Sequence, residues 1–321
     1  MRKLALVALM VAGCSSSGSG NSSSSTPTDP RIEVPDLKPT APDVNGFQII
    51  LPKVTGIEGG KDYEYCTWTD KVVDEEIAIK AAQAFQSKTG HHVVLYYTTK
   101  KEAPGTQRIC RDDDMASFRF VIGAGGEGVA DKNELPGDLA QRIPKGAQLV
   151  VNAHYLNPGD KTMEAQSAVN VRLVDKGAKY TPAGAMAWLD TTLDVPPNGK
   201  HAMDVKCTMT QDVKLWRFIP HMHRWGSHIT VDRVKGDSQG ERLFDVAWEE
   251  GFTFHPPEIR REPTDPLVFN KGDQINVHCE FNNDTSKDLP FGIEMCVAFG
   301  QTIDPNGVGN MACDKGSWTD F

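Results

Sequence analysis

Short apolar or alternating runs, each ended by a turn signal, limit what this chain can fold into. Runs of strand length occur at 93–97, 118–122, 148–153, 169–174, 215–219, 229–234, 275–279 and 295–299. Between them stand Asn157-Pro158-Gly159-Asp160, Pro196-Pro197-Asn198-Gly199, Lys271-Gly272-Asp273 and Pro305-Asn306-Gly307, residues that supply the dihedrals tight turns require. With 29 glycines and 20 prolines in 321 residues, a long helical bundle is excluded. The expected fold class is all-β. One stretch, 75–87, fits both a strand (Ile77, Ile79, Ala81, Phe85) and a helix face (Ile77, Ala81, Ala84, Phe85), and its element stays open. A polar, Gly- and Pro-containing stretch at 177–189 separates two strand-rich parts, expected as domains 46–182 and 183–321, each long enough for one β-sandwich.

A formal net charge of −9 leaves no overall positive field for phosphate backbones, so nucleic acid is not an expected partner. At the amino terminus, Arg2 and Lys3 precede an apolar run, 4–11, that is too short to span a bilayer and suits the core of an export signal. Val11-Ala12-Gly13-Cys14 resembles a bacterial lipobox. That resemblance implies a signal peptide over 1–14, with Cys14 as the lipidated first residue after cleavage. Ser15, in place of a retaining aspartate, implies the outer membrane, so membrane contact is expected through the lipid alone. Residues 15–45 are rich in Ser, Gly, Pro and Thr and read as a disordered tether, with folding expected from about Phe47.

Seven cysteines are present. Setting Cys14 aside leaves Cys66, Cys110, Cys207, Cys279, Cys296 and Cys313, an even number in an exported chain, which points to three disulfides of unspecified pairing. No Cys-x-x-Cys occurs, so a zinc knuckle or thioredoxin-like motif is not expected. Gly123, Gly125 and Gly128 satisfy G-x-G-x-x-G, but no apolar-periodic helix follows and Pro136 interrupts its place, so nucleotide binding is rejected.

The nine histidines are clustered. His221 and His223 flank Met222, and in a strand two such imidazoles share a face and can chelate one metal ion. Adjacent His91 and His92 diverge in a regular strand, so they share a metal only at a strand start or bulge, or through different ring nitrogens; Lys88-Thr89-Gly90 supplies an irregular start. His154 stands in Asn152-Ala153-His154-Tyr155. A lone histidine is by default a hydrogen-bonded structural residue, the reading given to His201, His228, His255 and His278. For H-H and H-x-H together in an exported chain, metal is the stronger reading.

The ordered series His91-His92, His154-Tyr155, His221-Met222-His223 and Glu294-Met295-Cys296 resembles the copper type II, ascorbate-dependent monooxygenases, which include peptidylglycine α-hydroxylating and dopamine β-monooxygenases. The likeness extends over about 43–313. It implies two consecutive jelly-roll-like β-sandwich domains facing each other across a cleft, with two coppers per chain. His91, His92 and His154 would hold the electron-transfer copper, and His221, His223 and Met295 the oxygen-activating one. A thioether is a soft ligand that favours Cu(I). The same resemblance implies pairing of Cys66 with Cys110, Cys207 with Cys313, and Cys279 with Cys296. The implied activity is hydroxylation of a substrate C–H bond with O2 and ascorbate or a similar one-electron donor. The peptide-amidating members carry a carboxylate-holding arginine two residues before H-x-H, where this chain has Ile219, with Arg217 and Arg224 nearby; Val297 likewise replaces a polar residue. The expected substrate is therefore a small organic molecule other than peptidylglycine. The alternative is a non-catalytic surface lipoprotein that binds or delivers copper; a mononuclear zinc or iron protein using His221 and His223 leaves the remaining motifs unexplained.

Overall fold

The computed structural model describes residues 32–321 except 126–127, 130–131, 237–239, 254–255, 305, 307–308 and 321. The signal, Cys14 and the first part of the tether lie outside the described residues. The longer strands of the first half are β1 (Gly46–Ile50), β2 (Lys61–Val72), β3 (Ile77–Gln86), β4 (Gly90–Thr98), β5 (Arg119–Gly125), β6 (Leu139–Ile143), β7 (Gln148–Asn157) and β8 (Ser167–Leu173). Those of the second are β9 (Thr181–Leu189), β10 (Gly199–Thr208), β11 (Val213–His221), β12 (Gly226–Val234), β13 (Glu241–Ala247), β14 (Gln274–Asn283) and β15 (Val297–Ile303). All eight runs read from the sequence fall on strands, with Phe118, Val174 and residues 295–296 just outside theirs.

One large sheet runs the length of the molecule in the order β1-β8-β3-β6-β9-β15-β11. Its first half packs against a sheet in which the short strand Gln107–Ile109 is followed by β2-β7-β4-β5, and its second against β10-β14-β12-β13. Two cores result. Ile79, Ala84, Val169 and Val171 meet Val93, Leu95, Val121 and Val151 in the first; Trp188, Leu215 and Ala298 meet Val205, Ile229, Val277 and Cys279 in the second. The architecture is the all-β sandwich expected, and burial of these apolar faces drives it.

The stretch with an open element is β3, a strand. It lies between β8 and β6, and both its faces carry buried residues, so neither a period of two nor of 3.6 emerges. The expected change of domain at 182/183 falls inside β9, whose first residues pair in parallel with β6 (Leu139 with Thr181, Gln141 with Ala183) while its length pairs with β15. A stretch that reads as a boundary is thus a central strand, because its small residues (Thr181-Pro182-Ala183-Gly184-Ala185) let both neighbours and both layers approach closely. Trp216, from the second half, even belongs to the first core. In the G-x-G-x-x-G segment, Gly123 and Gly125 sit in β5 and no helix follows among the described residues.

The tether reading is corrected over residues 32–45. Val34 is buried, and Ile32 exchanges backbone hydrogen bonds with Thr162 and Glu164. Further along, Gln166 Oε1 accepts from the Leu37 N–H, and the amides of Gln48 and Asn170 donate to the Thr40 carbonyl. Apart from backbone bonds at its two ends, side chains rather than a strand ladder bind this segment, so no periodicity marks it in the sequence.

The disulfides are Cys66–Cys110, Cys207–Cys313 and Cys279–Cys296, the pairing that the resemblance implies. Three bridges mark a chain made for an oxidising, exported environment. No helix among the described residues is long and apolar enough to cross a membrane. Beside Cys110, the buried Asp114 carboxylate accepts from two guanidinium groups: Arg108 through Nε and Nη2 (3.0 and 2.7 Å) and Arg111 through the same two nitrogens (3.1 Å each). Arg108 in turn lies over the Trp68 ring, 4.1 Å from its centroid. The hydrogen bonds from Arg108, then those from Arg111, hold the Asp114 carboxyl well below the usual carboxylate range.

Asp114→Asn should therefore destabilise the protein by about 1.5–3 kcal/mol at neutral pH, the range for charge-assisted hydrogen bonds. A depressed folded-state pKa contributes stability above the unfolded value, near 4, and loses it as the pH falls through the folded one. The gap between wild type and variant in urea unfolding should accordingly hold above about pH 4 and shrink steadily as the pH falls below it toward the folded-state value. A gap that stays constant with pH would refute this role.

Candidate metal centres

The first histidine set sits where β3 turns into β4. Thr89 takes a left-handed conformation (φ 74°), and a Cβ on Gly90 would fall 2.2 Å from Gln86 Cβ, so this tight reversal requires glycine there. His92 pairs with His154 of β7, but the next pair is Gly90 with Tyr155, leaving His91 as the extra residue of a β-bulge. Val93 and Leu95 enter the first core, so His92 and His154 stand on the outer face of that sheet, and the bulge turns the His91 ring to join them.

The three rings then converge. His91 Nδ1 lies 2.9 Å from His92 Nδ1 and 3.1 Å from His154 Nδ1. Among the described residues, these histidines form the one group of three or more His, Cys, Asp or Glu side chains whose ligand atoms gather within 4.8 Å. A ring nitrogen carries one in-plane proton or one lone pair, so His91 Nδ1 cannot satisfy both neighbours by hydrogen bonding. A cation that accepts one lone pair from each ring satisfies all three. Imidazole donors suit copper as well as zinc, so the set fits copper without selecting it.

Supporting groups surround the set. The buried Gln86 amide donates to the carbonyls of His92 and His154 (3.3 Å each) and to Ser167 Oγ (3.2 Å). Asp62 Oδ2 lies 3.3 Å from His154 Nε2, the orienting contact that metal-binding imidazoles commonly have.

The second set lies at the far end of β11. His221 pairs with Val297, and extending that register by two residues places His223 opposite Met295. The imidazoles of His221 and His223 are 5.0 Å apart between centroids. Cys296 and Ala298 enter the second core, whereas Met295 packs with Val297, Ala187 and Ala312, on the face of the sheet that His221 shares. The Cys279–Cys296 bridge pins the residue after Met295 to β14.

One buried carboxylate joins these pieces. Glu294 Oε1 accepts the N–H groups of His223 (2.6 Å) and Met295 (2.8 Å), and Oε2 that of Trp225 (2.9 Å). Burial pushes the Glu294 carboxyl up, against the pull of these three donors. Trp248 Nε1 adds a bond to the His223 carbonyl (3.1 Å), and His223 Nδ1 lies 3.0 Å from the Ile293 carbonyl oxygen. Gln86 and Trp248 were not among the residues expected to serve the sites, and Glu294 was read only as part of the Glu294-Met295-Cys296 motif, with no role of its own. For Glu294, an acidic residue directly before the apolar run 295–299 was a further signal, since a charge buried there must be partnered.

Burial, followed by the rings of His154 and His91, pushes the His92 imidazole down to about 3, and charge on His221 or His223 would push it the same way. Burial and His223 likewise push His221 down to about 3. Both are thus neutral at pH 7, the form that offers a lone pair to a metal.

The remaining described histidines keep structural roles. His201 stacks on Phe281, His228 bonds Asp245 (2.9 Å) and His278 bonds Asp204 (2.9 Å). His255 lies outside the described residues.

No family model matches the chain. No curated protein matches it. Among solved structures, it is similar to the PBSX exported protein XepA, with 9% identity over 83% of this chain and 89% of that one, at a TM-score of 0.22. It is also similar to the CUB1-EGF-CUB2 domain of human MASP-1/3, with 8% identity over 80% and 99% of the two chains, at a TM-score of 0.16. At such scores neither likeness bears on fold or function.

Glu294→Gln should cost about 1.5–3 kcal/mol, because an amide NH2 replaces one acceptor facing the three N–H donors. Amide hydrogen exchange at His223, Trp225 and Met295 should accelerate roughly 10- to 100-fold, at about tenfold per 1.4 kcal/mol, while amides of β4 keep their rates. Unchanged exchange at those three positions would show that the carboxylate does not hold them.

Proposed function

We propose that this chain is a copper-dependent monooxygenase that hydroxylates a C–H bond of a small organic substrate, drawing electrons from ascorbate or a similar donor. The observation that carries this reading is the convergence of three Nδ1 atoms at His91, His92 and His154, which calls for a cation. His221, His223 and Met295 would hold a second copper, two imidazoles and a thioether being a set that favours Cu(I). Bound copper supplies electron transfer at the first set and oxygen activation at the second.

The balance is one O2, one C–H bond, two electrons and two protons giving one C–OH bond and one water. The chain's own part is to keep His92 and His221 neutral by burial, to orient His92 and His154 through Gln86, and to hold His223 and Met295 in register through Glu294. We further propose that export ends in lipid attachment at Cys14 and anchoring in the outer membrane, with O2 and the substrate as small-molecule partners.

Copper titration with ascorbate and an oxygen electrode tests the proposal. Two coppers per chain should bind, and oxygen uptake should rise with a substrate and yield hydroxylated product. Met295→Ala should abolish substrate-coupled uptake while one copper stays bound. Loss of both metals in that variant contradicts separate centres. Tight copper binding with no coupled uptake by any candidate favours a copper-carrying lipoprotein instead.

A further inference from the structure

The strands that bring His221 forward also lay an apolar floor beside it. The register of β9, β15 and β11 sets three rows on one face: Leu189, Val297 and His221; then Ala187, Phe299 and Ile219; then Ala185, Gln301 and Arg217. The opposite face of these strands, with Trp188, Ala298 and Phe218, is spent on the second core. Scattered exposed apolar side chains are ordinary on a protein surface. Here two of the large exposed ones flank the same histidine pair. Phe299 is 37% exposed with its ring centroid 5.8 Å from that of His221, and Ile293, whose carbonyl meets His223, is 53% exposed. Ala187, next to Phe299 in its row, adds almost no bulk.

Among the described residues, the two arginines nearest this floor both face carboxylates. Arg217, one row beyond Ile219, is engaged by Glu258 (Nε to Oε2, 2.5 Å). Arg224 reaches Glu250 (3.8 Å) and lies over the Trp225 ring. A carboxylate seated here would lose its water with no guanidinium available to replace it.

Resting on the monooxygenase reading, we propose that the substrate is an uncharged apolar molecule whose ring or chain lies on Phe299 and Ile219 beside His221. The floor is small and adjoins the imidazoles, and it is bounded by the Arg217–Glu258 ion pair, which suits a small molecule rather than a protein surface.

Equilibrium dialysis of the purified full chain against 2-naphthol and 2-naphthoate, with copper stoichiometry measured in parallel, tests this. 2-Naphthol should bind, and 2-naphthoate should bind at least about tenfold more weakly. Phe299→Asp should weaken 2-naphthol binding by roughly tenfold or more, with Phe299→Leu retaining most of it and both variants keeping the wild-type copper stoichiometry. Ile219→Asp should act in the same direction. Equal binding of the two probes, or no effect of either aspartate, overturns the proposal. Phe299-dependent binding of 2-naphthol by a protein that takes up no copper would uphold the apolar floor and defeat the monooxygenase reading instead.

Discussion

The parallel pairing of β6 with β9 makes two sandwiches into one body. Leu139 beside Thr181 and Gln141 beside Ala183 continue a single hydrogen-bonded sheet from the first core to the second, so the halves cannot move as beads on a string. Trp216 crosses from the second half into the first core and adds apolar burial to the same junction. The histidine set on each half then has a fixed relation to the other.

Each histidine set depends on a buried polar side chain that touches backbone rather than rings. Gln86 ties the carbonyls of His92 and His154, and Glu294 ties the N–H groups of His223, Trp225 and Met295. Such groups are costly to bury, and they are tolerated because every donor or acceptor they offer to these strands fixes a ligand-bearing segment. Rings remain available to a metal while their backbones stay rigid. The exception is Gln86 Oε1, a buried acceptor with no partner, which leaves that side chain dependent on its donor half.

Much of the architecture was legible because its signals are local. Alternation at 275–279 or an apolar run at 93–97 reports a strand, and an even cysteine count reports bridges in an oxidising setting. Strand β3 was not legible, since burial on both faces erases any period. Strand β9 read as a boundary because small residues that pack closely between layers look, in sequence, like a turn-rich linker. Residues 32–45 read as tether because, between backbone bonds at Ile32 and Asn45, side-chain amides rather than a ladder bind Leu37 and Thr40.

By itself, the sequence determined the fold class, the residue types able to ligate a soft or borderline metal, and the condition under which His91 and His92 could cooperate. Only the tertiary structure decided that the condition is met, through the β-bulge that inserts His91 between His92 and Gly90. It alone set Met295 on the face of His221 and bound both chain segments to Glu294. The physical reason is that strand periodicity is a property of neighbours along the chain, whereas convergence of ligand atoms depends on register and bulges between strands far apart in sequence.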